Sequence, residues 1–254
     1  MEVSLPLATL EAMLLASLRV TAFIVVAPPF SHNAFPLRIK AMIGVGLALA
    51  VVPRTSAGYT SLETGPFLGA LVLELITGAA LGLLVMIVFS AVQAAGGLLD
   101  LFGGFQMAQG FDPQSMVNGA QFSRFFHFAA LALLLASDGY QLVLAGLFRS
   151  FDVIPLGGGI GLDAVAYQGV AAVGQMFIAA VQIAGPLLVV LVLADIGLGL
   201  LTRAAPALNA FAMGFPLKIM LTLALAGTVF VVLPSVVSAL VRQGLEAIGA
   251  VIGP

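Results

Sequence analysis

Cysteine is absent from this chain, and charge is scarce: charged residues make up 8% of 254 residues. Without cysteine there are no disulfides, no thiol redox chemistry and no thiolate metal sites. With a formal net charge of -2 and no basic face, the chain offers no electrostatic footprint for nucleic acid, and none is expected as a partner. Histidine is limited to His32 and His127, and neither belongs to an HExxH helix. The strings GxxxxGK[ST] and GxSxG are missing as well. Zinc proteolysis, ATP hydrolysis and serine-nucleophile chemistry each need one of those constellations, so no enzyme, cofactor or metal site is expected. The run GGGIG at Gly157 to Gly161 has no strand leading into it and no phosphate-binding helix after it, so it reads as a linker.

What the chain has in abundance is apolar surface, with 61% hydrophobic residues. Ordinary soluble domains are nearer half apolar and about a quarter charged. Lipid or a large protein assembly must therefore be the solvent. The N-terminus does not read as a secretory signal, because Glu2 and Glu11 occupy the region where a signal carries positive charge and Ala27 is followed by Pro28 and Pro29. The first apolar run is expected to stay as a helix.

Apolar stretches fall at about residues 8 to 27, 41 to 53, 67 to 92, 125 to 147, 169 to 194 and 211 to 240, and all six read as helices. The fold class is therefore all-α, a polytopic helical membrane protein. A full span needs ~20 residues at 1.5 Å rise, so the second stretch is short. Either Arg38 and Lys40 extend it by snorkelling, or other protein shields it. Counting alternate connections, Arg38, Lys40, Arg124, Arg203 and Lys218 lie on one side, against Arg54, Arg149 and Arg242 on the other. That bias places the odd connections in the cytoplasm and both termini opposite.

The stretch Gln93 to Gln121, QAAGGLLDLFGGFQMAQGFDPQSMVNGAQ, is too apolar for a free loop and too broken for a spanning helix. Irregular backbone at membrane depth survives only inside protein or along a water-filled cavity. Pore lining is one reading; a glycine-rich turn with ordinary core Met and Phe is the other. Under the first, Phe105, Met107, Phe111 and Met116 supply a deformable seal, Gly110 lets the chain bend, and Asp112-Pro113 makes a turn at the tip. Farther on, the connection DIGLGLLTRAAPALNAFAMGFPLK carries Arg203, Pro206, Gly214, Pro216 and Lys218, which mark the turn of a C-terminal helical hairpin with a basic rim. The chain divides near residue 155, at Pro155 and the glycines that follow.

Two charges stand inside apolar runs. Arg19, in the middle of the first, costs roughly 2.5 to 3.5 kcal/mol in a bilayer unless paired. It is expected at a subunit contact or aqueous path, or else on backbone carbonyls or Glu11. Glu74 shares the third run with Gly78 and Gly82, whose spacing lets a second helix approach closely. Its carboxylate is expected to bond a neighbour; a proton relay is the sharper alternative, weakened by the lack of further acids in the run. Asp138 and Asp195, near the ends of apolar runs, read as interfacial anchors.

Four blocks in order, Ala27 to Pro53, Leu73 to Leu84, Gly96 to Pro113 and Leu198 to Lys218, together resemble the FliR family of type III export gates, which is also represented in injectisomes. The resemblance implies a non-enzymatic subunit of the bacterial inner membrane at the flagellar basal body. It implies residues 1 to 155 as a part like a P-type subunit and 156 to 254 as a hairpin like a Q-type subunit, with a plug loop on about residues 105 to 118. Implied partners are P-type and Q-type gate subunits, B-type and A-type export apparatus proteins, and unfolded export substrates, with helices sheltered by neighbouring subunits. Arg19, Glu74, Arg203 and Lys218 are then candidates for buried-charge or assembly contacts. Without the resemblance, a secondary transporter or channel, or more remotely an intramembrane enzyme, would also fit broken intramembrane segments.

Overall fold

The structure is a computed structural model that describes residues 6–32, 35–105, 121–205 and 210–253. Among them the chain forms seven α-helices and no strand: α1 (Leu7–Val26), α2 (Leu37–Thr55), α3 (Thr64–Phe102), α4 (Gln121–Ala136), α5 (Gly139–Val153), α6 (Leu162–Ala204) and α7 (Ala210–Ile252). Only helices satisfy every backbone amide within one apolar segment, which is why so greasy a sequence adopts this fold. Four of the helices, α1, α3, α6 and α7, are long and apolar enough to cross a membrane, and α4 with α5 forms a pair bent by 76°. The chain is a multi-pass membrane protein. Asp138 sits in that bend with a left-handed φ of 55°, a conformation aspartate tolerates better than most side chains.

Three expectations change. The second apolar stretch does extend through Arg38 and Lys40, yet α2 is not among the helices apolar enough to span, so the alternation behind the orientation argument loses one crossing. Arg38 is exposed, while buried Lys40 does not snorkel but donates from Nζ to Ser31 O at 2.8 Å. The stretch from Gln93 is not broken at its start, because α3 continues to Phe102 through Gly96 and Gly97. Gly214, Pro216 and Lys218 do not form a turn but lie inside α7, and Arg203 lies in the last turn of α6. Residues 106–120 and 206–209 lie outside the described residues, and with them Met107, Gly110, Phe111, Asp112, Pro113, Met116 and Pro206.

Two compact units make up the chain: Met1–Val88, Leu134–Val173 and Leu240–Pro254 form the first, and Phe89–Leu133 with Gly174–Ala239 the second. In the first unit, helices meet where side chains are missing. A Cβ on Gly78 would stand 2.1 Å from the Arg19 carbonyl oxygen, one on Gly82 2.9 Å from that of Phe23, and one on Gly44 2.1 Å from Thr21 Oγ1. Glycine at these positions sets the backbone approach of α1 to α3 and of α2 to α1, the close packing that helix pairs in lipid depend on. Leu15, Phe23 and Ile24 on α1 and Leu81 and Leu84 on α3 are fully buried or nearly so. In the second unit, Gly96 plays the same part, since a Cβ there would meet the Phe122 carbonyl oxygen at 2.6 Å.

Burial is uneven among the spanning candidates. Half of the most apolar window is buried in α1 and in α3, against 22% in α6 and in α7. Val170, Met220 and Val231 are more than two-thirds exposed, so these two helices present their apolar faces to lipid or to other chains.

Candidate functional site

The first unit is built around a charge pair. Arg19 on α1 and Glu74 on α3 have no exposed side-chain surface. Arg19 Nη2 donates to Glu74 Oε1 at 2.9 Å, and Arg19 Nε donates to Oε2. The planar fork of a guanidinium matches two carboxylate oxygens, which makes this the strong form of the ion pair. The remaining donors go mainly to backbone: Nη1 to Ser150 O at 3.2 Å and Ile154 O at 3.1 Å, with the Ser150 hydroxyl at 3.4 Å, and Nη2 to Pro155 O at 3.4 Å. The Phe151 ring lies 4.3 Å from the guanidinium carbon. Glu74 Oε1 also accepts the Gly157 N–H at 2.8 Å.

One ion pair thus holds four segments: α1, α3, the end of α5 and the linker before α6. Both poles of the linker backbone are read, carbonyls by arginine and an amide by glutamate. Gly157 has a left-handed φ of 77° and a Cβ there would stand 3.0 Å from Ala70 Cβ, so the position requires glycine. The pair satisfies Arg19 inside the chain and without Glu11. Glu11 is engaged elsewhere, accepting from Tyr59 OH at 3.2 Å and from the Leu62 N–H at 3.1 Å. Burial, and then the Glu11 carboxylate, push the Tyr59 phenol up to about 12.

In the second unit, Asp100 marks the root of the glycine-rich segment. Its carboxylate, fully buried in the last turn of α3, accepts the Phe122 and Ser123 amides of α4, each at 2.9 Å. The first amides of a helix have no partner within it, and an acid from a neighbouring helix fills that need here. Gly103 and Gly104 follow, close to Thr222 Oγ1 and the Phe215 ring on α7. Phe105 makes an edge contact with Phe122 at 5.0 Å between ring centres. Phe105, Phe122, Phe125, Leu223 and Phe230 line an apolar cavity of about 350 Å³. At the other candidate positions, Lys218 pairs with Asp195 across the α6–α7 hairpin and both remain partly exposed, whereas Arg203 is exposed.

The geometry describes a scaffold that holds backbone in fixed places. The sequence family says what such a scaffold belongs to: a model described as bacterial export proteins, family 1, matches residues 10–244. The chain belongs to this export-protein family, the FliR family. The flagellar biosynthetic protein FliR of Bacillus subtilis is 32% identical over 237 residues, covering 91% of this chain and 89% of that protein. FliR of Escherichia coli K12 is 32% identical over 203 residues, 80% of this chain and 77% of the relative. The surface presentation of antigens protein SpaR of Shigella flexneri is 25% identical over 199 residues, 77% and 76% of the two chains. As a FliR-family protein, the chain is a membrane component of a type III protein export apparatus.

Sequence reasoning found Arg19 and Glu74 as buried charges but not as partners of each other. It missed the roles of Gly157 and Asp100, though both were visible: one as the first of a glycine run, the other as an acid in an apolar stretch.

Proposed function

We propose that this chain is the R-type subunit of a flagellar type III export gate in the bacterial inner membrane, at the flagellar basal body. It closes a helical ring with P-type and Q-type subunits, alongside B-type and A-type apparatus proteins, and forms with them the channel entrance for unfolded substrates. The observation that carries this reading is the match to flagellar FliR proteins over most of the chain. The exposed apolar faces of α6 and α7 favour it, since a subunit of a larger assembly leaves such surface for its neighbours. Residues 1 to 155 would take the P-type-like place and 156 to 254 the Q-type-like hairpin.

Within the gate, the plug falls on about residues 105 to 118, with Phe105, Met107, Gly110, Phe111, Asp112, Pro113 and Met116 closing the pore until a polypeptide displaces them. The way Asp100 ties α3 to α4 supports this, because a plug needs a fixed root. Energy for export comes from elsewhere in the apparatus. Deleting Gly110 to Ser115 is expected to raise ion leak through the inner membrane while the tagged chain still co-purifies with P-type and Q-type partners. Unchanged leak in a gate that assembles would remove the plug role; failure to co-purify with either partner, in the intact protein, would remove the gate reading itself.

A further inference from the structure

The helix that packs on α1 through one glycine leaves a second glycine uncovered. On α2, a Cβ at Gly44 would stand 2.1 Å from Thr21 Oγ1, whereas one at Gly46 meets nothing within 4 Å. Two helical steps turn the chain by about 200°, so the two glycines sit on opposite faces and only the inner one is filled. Around Gly46 the outer face is apolar and open: Ile39, Met42, Val45 and Leu49 are exposed, Met42 at 74%. Ile39, Met42, Gly46 and Leu49 follow one another at steps of three, four and three residues, the spacing of a seam between paired helices. Arg38 stands at the start of this seam, exposed and without an ion pair among the described residues.

What covers that face follows from its chemistry. α2 is not among the helices apolar enough to cross a membrane, so acyl chains are a poor match for it. Glycine weakens a helix unless packing offsets the loss, and acyl chains gain nothing from it, whereas a second helix gains close backbone approach. Gly44 shows that compensation on the inner face. The guanidinium at the start of the seam adds a second requirement, because its planar fork is matched by carboxylate oxygens. We infer that the outer face of α2 is the docking site for one apolar helix of another subunit of the export apparatus, which crosses α2 at Gly46 and sets an acidic side chain against Arg38. The inference rests on the reading of this chain as a gate subunit, and goes beyond it by naming the face, the crossing point and the charge that the neighbour must bring.

The test co-expresses the tagged full-length chain with P-type and Q-type subunits and places a photoreactive side chain on the face as Met42→benzoylphenylalanine. Illumination is expected to join the chain to a helix of another subunit, identified by mass spectrometry. Gly46→Leu and Arg38→Glu are each expected to cut recovery of that subunit about tenfold, the scale of one lost packing or charge-assisted contact. Both should leave the melting temperature of the full-length chain purified alone unchanged. Changing the acid of the cross-linked helix to arginine should restore recovery in the Arg38→Glu variant. Cross-links confined to lipid, or to a second copy of this chain, would overturn the docking site, as would undiminished recovery in either variant. A lower melting temperature in Gly46→Leu would also overturn it, since the face would then be packed within the chain. Each of these results leaves the gate reading standing so long as wild type recovers P-type and Q-type subunits; a wild type that recovers neither removes that reading and this inference together.

Discussion

Arg19 and Glu74, 55 residues apart in sequence, neutralise each other in fully buried surroundings and divide the linker backbone between them. Removing one partner from such a pair leaves an uncompensated charge, at a cost of about 3 to 5 kcal/mol. Arg19→Ala and Glu74→Ala are each expected to lose stability on that scale when unfolding is followed in detergent. The double variant should lose clearly less than the sum, because no lone charge remains. Strict additivity would show that the two side chains do not act as a unit.

Glycines divide into two kinds by what surrounds them. Gly78→Ala forces a Cβ onto the Arg19 carbonyl and should destabilise by about 1 to 3 kcal/mol, as overpacking does. Gly46, on α2, has nothing within 4 Å of such a Cβ, so Gly46→Ala should be neutral or gain up to about 1 kcal/mol from helix propensity. Melting temperatures of the two variants compared with wild type check this; a reversed order would mean that α1 and α3 do not pack through Gly78.

Asp100→Ala leaves the Phe122 and Ser123 amides without their acceptor, and the loss of a helix cap costs about 0.5 to 2 kcal/mol. Asp100→Asn keeps one acceptor oxygen and should fall between the alanine variant and wild type. Amide hydrogen exchange at Phe122 and Ser123 should accelerate in the same order. Exchange that does not respond to either variant would mean that Asp100 does not hold the start of α4.

The membrane character, the helical class and the main apolar runs were legible in the sequence, because hydropathy follows directly from composition. Neighbours were not. Periodicity gives a helix a face but not the identity of the helix opposite, so the sequence offers Arg19 a subunit contact, an aqueous path, backbone carbonyls or Glu11, but not its carboxylate partner on α3. Gly96 and Gly97 looked like a break because isolated glycines weaken helices by roughly 1 kcal/mol each. Here Gly96 is where Phe122 and Ser123 approach, and packing outweighs propensity. Pro216 and Gly214 likewise lie within α7, where proline gives up one internal hydrogen bond without ending the helix.

Tyr59 gives a pH signature. Its phenol is raised from 10.0 to about 12, so its contribution to stability is complete below pH 10 and is lost as pH rises towards 12, where the folded state also ionises. Spectrophotometric titration should show a late phenolate step that Tyr59→Phe removes. Persistence of that step in the variant would detach it from the Glu11 contact.

The linker beyond α5 is read at Ile154, Pro155 and Gly157 by side chains of fixed reach, so it works as a ruler as well as a tether. Inserting even one residue between Pro155 and Gly157 would carry an amide or a carbonyl past its mark. Anyone splitting the gene or threading a reporter into the polypeptide should therefore cut downstream of Gly159, where this measured stretch has ended.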